Sequence, residues 1–434
     1  MKKMMLLVMI LITSMTLIAC GGDEAGDKIT IDFWHMSPVG STSFSGMRSI
    51  INDFNESQDT YFVRGTGFSF WDYWDKINVA VASRTAPDIG LSTIDDVEAR
   101  ARSGVLYNIS DLMASDTTDA PLEVDEFRQS QLDFATYQGD LYAMPFSATT
   151  RVLYYNLDMF AEEGLTEADV PETWDELKTI AKKFDVVEDG QLTRIGFDPT
   201  YGNATYHGWL WQNNLDFFDE NKLPTLNTQA HIDVLEWIMN FNSEYTRTQL
   251  TTFGEGNQLL GINPFASQRV AMIVEVDGLY QIIKDAGATF NYGVAPIPIP
   301  EGGRRVNWGS GFSIEMYDNG KGEDEQRDGS FLFYKYLLSK DVQIRLAEVN
   351  GWIMSHISAM EEYVEGNPIL EKLLAEVDYA VDKVYIPYAP SWHGNDWQPY
   401  YTEALSGTKT AAEALEAARL NYLQKKQNYD AVNP

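Results

Sequence analysis

The residues that could break or make bonds are few and badly spaced for it. Five histidines (His35, His207, His231, His356 and His393) show no paired metal-ligand spacing, and no HExxH occurs. Ser310 stands in Trp308-Gly309-Ser310-Gly311, which lacks the first glycine of a nucleophile elbow. No GxxxxGK[ST] phosphate cradle is present, and Asp185 to Gly190 has acidic residues without the spacing of a calcium loop. Glycoside hydrolysis needs only two carboxylates at the right separation, which spacing along a chain does not exclude, so that enzymatic alternative stays open. What the chain does offer is aromatic rings, with 11 Trp, 23 Tyr and 21 Phe. Several of these rings sit in loops beside carboxylates and hydroxyls. Their chemistry is non-covalent: flat faces that stack and polar groups that hydrogen-bond in fixed directions.

The elements that must position these groups alternate. Ile29 to Trp34 reads as a first strand, and Phe44 to Glu56 as a helix with Met47, Ile50, Ile51 and Phe54 at helical spacing. Tyr61 to Val63 is a strand. Trp71 to Arg84 is a helix with Trp74, Ile77 and Val81 on one stripe. Pro87 to Leu91 opens a third strand, and Ile94 to Ser103 a helix ended by Gly104. That alternation predicts an α/β fold with a parallel sheet. Gly139-Asp140 predicts a hairpin turn, and Val152 to Tyr155 and Val270 to Val274 are further strands. Thr173 and Glu176 form a capping box for the helix that follows.

At 434 residues the chain is too long for one core, so two domains are expected. Its net charge of −32 repels phosphate backbones and argues against nucleic-acid binding. The single cysteine, Cys20, excludes an internal disulfide. Lys2 and Lys3 precede an apolar stretch, Met4 to Ile18, short for a spanning helix and right for a signal peptide. It ends Leu17-Ile18-Ala19-Cys20, which resembles the bacterial lipobox, where cleavage precedes a cysteine that takes a diacylglycerol. Residues 1–19 are then the leader and 20–27 a lipidated tether, with the chain exported and held to the cell membrane through its lipid alone.

The order of segments resembles the bacterial family 1 extracellular solute-binding proteins, the sugar-binding components of importers driven by an ATP-binding cassette. The resemblance rests on Ile31-Asp-Phe-Trp-His35, Ala86-Pro-Asp-Ile89 with Gly104-Val-Leu106, Gly139-Asp-Leu-Tyr-Ala-Met-Pro145, Leu153-Tyr-Tyr-Asn156, Pro171-Glu-Thr-Trp-Asp-Glu-Leu177 and Arg269-Val-Ala-Met272. It continues through Ile297-Pro-Ile-Pro300, Gly309-Ser-Gly311 and Tyr336-Leu-Leu-Ser-Lys-Asp-Val-Gln343. It implies a two-lobed periplasmic-binding-protein-like fold with an interlobe ligand cleft. One lobe holds 28–146 plus 297–338 and the other 147–296 plus 339–434, with a hinge at Ser147 to Thr150. It also implies a sugar or oligosaccharide ligand, permease subunits as partners, a monomer, no cofactor and no catalysis. A surface carbohydrate adhesin is a further alternative.

A sugar ring has apolar C–H faces and a rim of hydroxyls, so its site needs aromatic platforms and fixed polar partners. The candidates in the first lobe are Trp34, His35 and Ser37 at the end of the first strand, Trp71 in the loop after the second, and Ser92 and Asp95 after the third. Asp95 falls where a maltose-binding member of the family has a ligand-binding aspartate. That member has Arg next, and here Asp96 follows. In the second lobe the candidates are Asp198, Trp209, Glu275 and Asp277. Trp209 and Trp211 alternate, so one of them faces the core, and Asp277 serves equally as a cap for the following helix. Gly309 marks a backbone close to ligand. Trp352, Trp392 and Trp397 are loop platforms, aromatics without periodicity that fit a core poorly.

Overall fold

Strand Ile29–His35 buries Ile31, Phe33 and His35 on one face and anchors the first sheet. In the computed structural model, residues 26–260, 263–309, 311–320 and 324–433 are described; Cys20, the leader before it and Ser310 lie outside them. Strands Tyr61–Gly67 and Ile89–Thr93 flank the first strand in parallel. Phe312–Met316 then pairs antiparallel with Ile89–Thr93, and Ala143–Pro145 pairs antiparallel with Phe312–Met316. The result is a five-stranded mixed sheet. Its parallel part follows the strand–helix alternation, and its antiparallel edge is built by chain returning from far downstream.

Helix Thr42–Ser57 covers this sheet with Met47, Ile50, Ile51 and Phe54, the stripe its spacing predicts. Helix Phe70–Ala82 buries Tyr73, Ile77 and Ala80 instead of the expected Trp74–Ile77–Val81 stripe. The rotation arises because the Tyr73 hydroxyl is anchored in the core, donating to the Leu91 carbonyl at 2.8 Å. Trp74 is thereby turned to the edge of the core, where it stays half-buried.

The second sheet is antiparallel, with Arg151–Asn156 between Met272–Val276 and Tyr292–Ala295. All six residues of the central strand are buried, as expected of a strand covered on both faces. A second apolar core forms beside it, from helices Trp174–Ala181, Tyr206–Gln212, Gln229–Met239, Gln398–Leu405 and Ala411–Val432. The capping box expected at Thr173 and Glu176 is present.

The two sheets are joined at a seam. Ser147 bridges Met354 in antiparallel fashion, and Ala148 N donates to the Ile353 carbonyl at 2.8 Å. The short strands Asn307–Trp308 and Ala380–Val381 pair in parallel nearby. One placement read from sequence is corrected. Helix Lys340–Asn350, assigned to the second lobe, packs on Thr42–Ser57 of the first, where Arg345 meets Asp53 at 2.6 Å. Helix Ile357–Val364 packs on this helix in turn and His356 bridges Phe127, so the chain stays with the first sheet through Val364, and Ile353 and Met354 are where Ser147 and Ala148 of the crossing segment dock.

Candidate functional site

Asp95 leaves the end of strand Ile89–Thr93 in a single 3-10 turn, Ile94–Asp96. Its Oδ2 lies 2.7 Å from the Nζ of Lys383, and both side chains are more than nine-tenths buried. Lys383 comes just after strand Ala380–Val381, on the segment leading into the second core. Its ammonium also lies 3.1 Å from His393 Nε2 and 4.8 Å from the centre of the Trp308 ring. The Arg151 guanidinium sits 3.8 Å from the centre of the same indole. His207 packs edge-on to that ring at 4.6 Å. A strand end of the first lobe and side chains of the second thus converge on one buried polar knot.

The electrostatics follow from that burial. Burial would raise Asp95, but the ammonium of Lys383 outweighs it and holds the carboxyl below its ordinary value. Asp382, buried and repelled by Asp95, is pushed up to about 7. Burial pushes His393 down to about 4 and His207 well below the usual imidazole value, with Lys383 adding to both. Among the described residues, two polar atoms of the knot, Asp95 Oδ1 and Trp308 Nε1, are buried without a hydrogen-bond partner. One accepts and the other donates, which is what a hydroxyl group can satisfy from either side.

Beside the knot runs a ladder of rings. Phe312 pairs in register with Thr93, two residues before Asp95. From Phe312 the contacts run to Trp352 at 5.2 Å, Trp74 at 5.8 Å and Phe70 at 6.4 Å, and Phe70 meets Trp71 edge-on at 5.1 Å. Trp71 is 77% exposed. Its indole stands open beside Phe70 on the same helix. Of the residues chosen from sequence, Trp71, Trp352 and Asp95 fall in this ladder and knot.

Gly309 lies between them and the seam. A Cβ there would come within 2.2 Å of Ala380 Cβ and 2.7 Å of the Thr149 carbonyl, so the close approach requires glycine. Glu275 is buried and raised by that burial; it accepts from Asn203 Nδ2 at 2.6 Å, and Arg151 Nε donates to the Asn203 carbonyl at 3.2 Å. It buttresses the knot through Asn203. Ser92 is buried with its hydroxyl unpartnered. His35 and Ser37 are buried in the first lobe, where Ser37 N donates to His35 Nδ1 at 3.3 Å and burial lowers the imidazole to about 4. Trp34 is half-buried, edge-on to Phe68 at 5.1 Å.

Other choices fall elsewhere. Trp209, Trp392 and Trp397 are packed in the second core. Trp209 donates to the Pro199 carbonyl at 3.1 Å, Trp392 to the Val384 carbonyl at 3.0 Å, and Trp397 stacks on Tyr206 at 5.0 Å. Trp209 lies on helix Tyr206–Gln212, and the loop of Trp392 and Trp397 lacks periodicity because it fills the space between helices rather than forming one. Trp211, the alternative to Trp209, is the one that meets His207. Asp277 is neither cap nor open acceptor: its Oδ2 accepts from Ile353 N at 2.8 Å, clamping the crossing segment. Asp198 accepts from Thr200 and from Asn242 Nδ2 at 2.8 Å, and it faces a 480 Å³ cavity lined by second-lobe residues such as Tyr201 and Arg247. The sequence reading did not reach Lys383 and Arg151; His393, His207 and Trp308 lie within segments it did mark, beside Trp392, Trp209 and Gly309. The available signal was Asp382-Lys383 beside Arg151, charges placed among apolar neighbours.

A family model for bacterial extracellular solute-binding proteins matches residues 49–372. The sn-glycerol-3-phosphate-binding periplasmic protein UgpB of Brucella melitensis is 25% identical over 377 residues, covering 80% of each chain. The protein of the same name from Rhizobium meliloti is 24% identical over 446 residues, covering 94% of this chain and 96% of its own. Among solved structures, CpMnBP1 with mannotriose bound superposes with a TM-score of 0.77 at 19% identity, covering 91% of this chain and all of that one. An ABC transporter solute-binding protein from Thermotoga lettingae bound with α-D-tagatose gives 0.77 at 19%, covering 92% of this chain and all of that one. The fold is therefore the two-lobed periplasmic-binding-protein type.

Proposed function

We propose that this chain, which belongs to the bacterial extracellular solute-binding protein family, captures a neutral sugar or oligosaccharide between its lobes and passes it to an ABC importer. Membership makes it a binding protein and not an enzyme, so the hydrolase alternative is set aside. The observation that carries the sugar reading is the pairing of an open aromatic ladder with a buried polar knot across the lobe junction. Trp71, Phe70, Trp74, Phe312 and Trp352 offer faces for C–H surfaces. Asp95 Oδ1 and Trp308 Nε1 offer an unpartnered acceptor and donor for a hydroxyl. The names of the solved neighbours, bound to mannotriose and tagatose, support the same ligand class.

A phosphorylated polyol, the ligand in the name of the Brucella relative, suits the knot less well. Its lysine is committed to Asp95 and its Arg151 is turned onto Trp308, while Asp96 and Asp382 add carboxylates beside the pair. A phosphate dianion would enter against that field.

The lobes are read as 28–146 with 297–364 and 147–296 with the chain from helix Pro368–Glu376 onward, hinged near Ser147 to Thr150 and closing on ligand. The chain is read as exported, anchored by diacylglycerol on Cys20 and monomeric. Titration of intrinsic tryptophan fluorescence with neutral saccharides tests the binding reading. A saturable, one-to-one change with no release of reducing sugar supports it. No response to any saccharide at millimolar concentration refutes it. Cys20→Ser should move the protein from the membrane to the soluble fraction; unchanged partitioning refutes the anchor.

A further inference from the structure

Arg100 is a buried cation of the first lobe. It lies on helix Val97–Arg102, one turn after Asp96, and its side chain is only 10% exposed. Its Nη1 donates to Glu315 Oε2 at 2.6 Å, and Glu315 is fully buried. Its Nη2 donates to Asn78 Oδ1 at 3.0 Å and stands 4.0 Å from Asp96 Oδ2. Gly90, opposite Glu315 in the strand register, leaves room for this cluster: a Cβ there would stand 3.0 Å from the Tyr73 hydroxyl and 3.0 Å from the Tyr317 ring.

Each partner belongs to a different element of the candidate site. Asn78 lies one turn after Trp74 and two turns after Trp71, on one stripe of helix Phe70–Ala82. Glu315 is on strand Phe312–Met316, which begins with the ladder ring Phe312. Asp96 adjoins Asp95 in the turn Ile94–Asp96. We infer that Arg100 is a positioning residue for saccharide binding: one guanidinium sets where the helix of Trp71 and Trp74, the strand of Phe312 and the turn of Asp95 stand relative to one another. A guanidinium suits that task because its donors point in fixed directions in one plane and serve several partners at once; an ammonium lacks that reach. Arg100 also holds Asp96 against its own helix while Asp95 turns to Lys383. Stability alone does not require the pair, since a buried ion pair exchanged for apolar side chains of similar size is often neutral or stabilising. What the apolar exchange does not supply is the bond to Asn78 and the pull on Asp96.

This role rests on the saccharide-capture reading, and two readouts keep them apart. The variants are Arg100→Met/Glu315→Leu, which removes both charges, Arg100→Lys, which keeps the pair, and Asn78→Ala, which removes one arm. In protein carrying 15N-labelled tryptophan and no saccharide, the indole N–H resonances of Trp71 and Trp74 should move in all three, while those of Trp209 and Trp392 in the second core stay in place. Affinity for a neutral saccharide that saturates the parent should fall about tenfold in the double variant and in Arg100→Lys, with unfolding midpoints near the parent's. Parental Trp71 and Trp74 resonances in every folded variant overturn the role. So does parental affinity in variants whose resonances move. If the double variant does not fold, Arg100→Lys and Asn78→Ala carry the test. A parent that binds no saccharide refutes the capture reading, and the resonances still decide whether Arg100 places the rings.

Discussion

The guanidinium of Arg151 lies 3.8 Å from the centre of the Trp308 indole while its Nε donates to the carbonyl of Asn203 at 3.2 Å. Arg151 opens the central strand of the second sheet, and Trp308 is on a seam strand. One side chain therefore ties a rigid strand, the seam and the turn bearing Asn203 into a single support for the knot. Burial lowers Arg151 to about 10, with Glu275 opposing the shift, and it remains charged at neutral pH. Replacing it with Met strands the carboxylates around it. We expect a loss of about 3 kcal/mol in stability, read by denaturant unfolding, with Arg151→Lys recovering only part because an ammonium cannot reproduce the fork and the stacking.

Trp71 should separate binding from stability. It is exposed, so Trp71→Ala should change unfolding free energy by no more than about 0.5 kcal/mol. If its face stacks on sugar, the same change should weaken affinity roughly tenfold, about 1.4 kcal/mol. Calorimetric titration beside thermal unfolding distinguishes the outcomes, and unchanged affinity removes Trp71 from the ladder's function.

Trp392→Ala should behave in the opposite way. That indole is buried among Phe217, Phe218 and His207, so truncation should cost about 3–5 kcal/mol of stability. Near-native stability with lost binding would restore it as a ligand platform.

The knot's titrations have opposing signs. Asp382 ionises near 3.8 when unfolded and near 7 when folded. Between those values the unfolded state has released a proton that the folded state keeps, so this group's contribution falls as pH rises. His393 goes the other way: its folded value is about 4 against 6.5, so its contribution rises with pH across that window. Asp382→Asn should therefore gain stability relative to the parent as pH rises from about 4 to 7. His393→Gln should lose its deficit as pH falls over about 6.5 to 4. Unfolding curves at several pH values give both, and a pH-independent difference contradicts the assignment.

Gly309→Ala tests the seam. The added methyl would collide with Ala380 and the Thr149 carbonyl, and overpacking of this kind costs about 1–3 kcal/mol. A variant of parental stability would show that the segment can retreat.

The first lobe was legible because its sequence is local. The Met47–Phe54 stripe, the strand endings and the Pro87–Gly104 spacing each report on neighbours a few residues away. The second sheet's antiparallel pairing was not legible, since Arg151–Asn156 meets partners more than a hundred residues downstream. Aromatic content was read as recognition chemistry, but richness in rings does not say which face the core. Trp71 and Trp392 look alike in sequence; helices 206–212, 398–405 and 411–432 bury one, and the other is 77% exposed. Lys383 escaped notice for the converse reason. A lone lysine reads as surface until its partner, Asp95, is brought to it from nearly three hundred residues away.

The central claim is that ladder and knot together hold a neutral saccharide, and calorimetric titration of one ligand-positive saccharide into parent, Trp71→Ala and Asp95→Ala proteins tests it most directly. One site per chain in the parent, with affinity reduced at least roughly tenfold in each variant, is the predicted result. Equal affinity in all three proteins would contradict it.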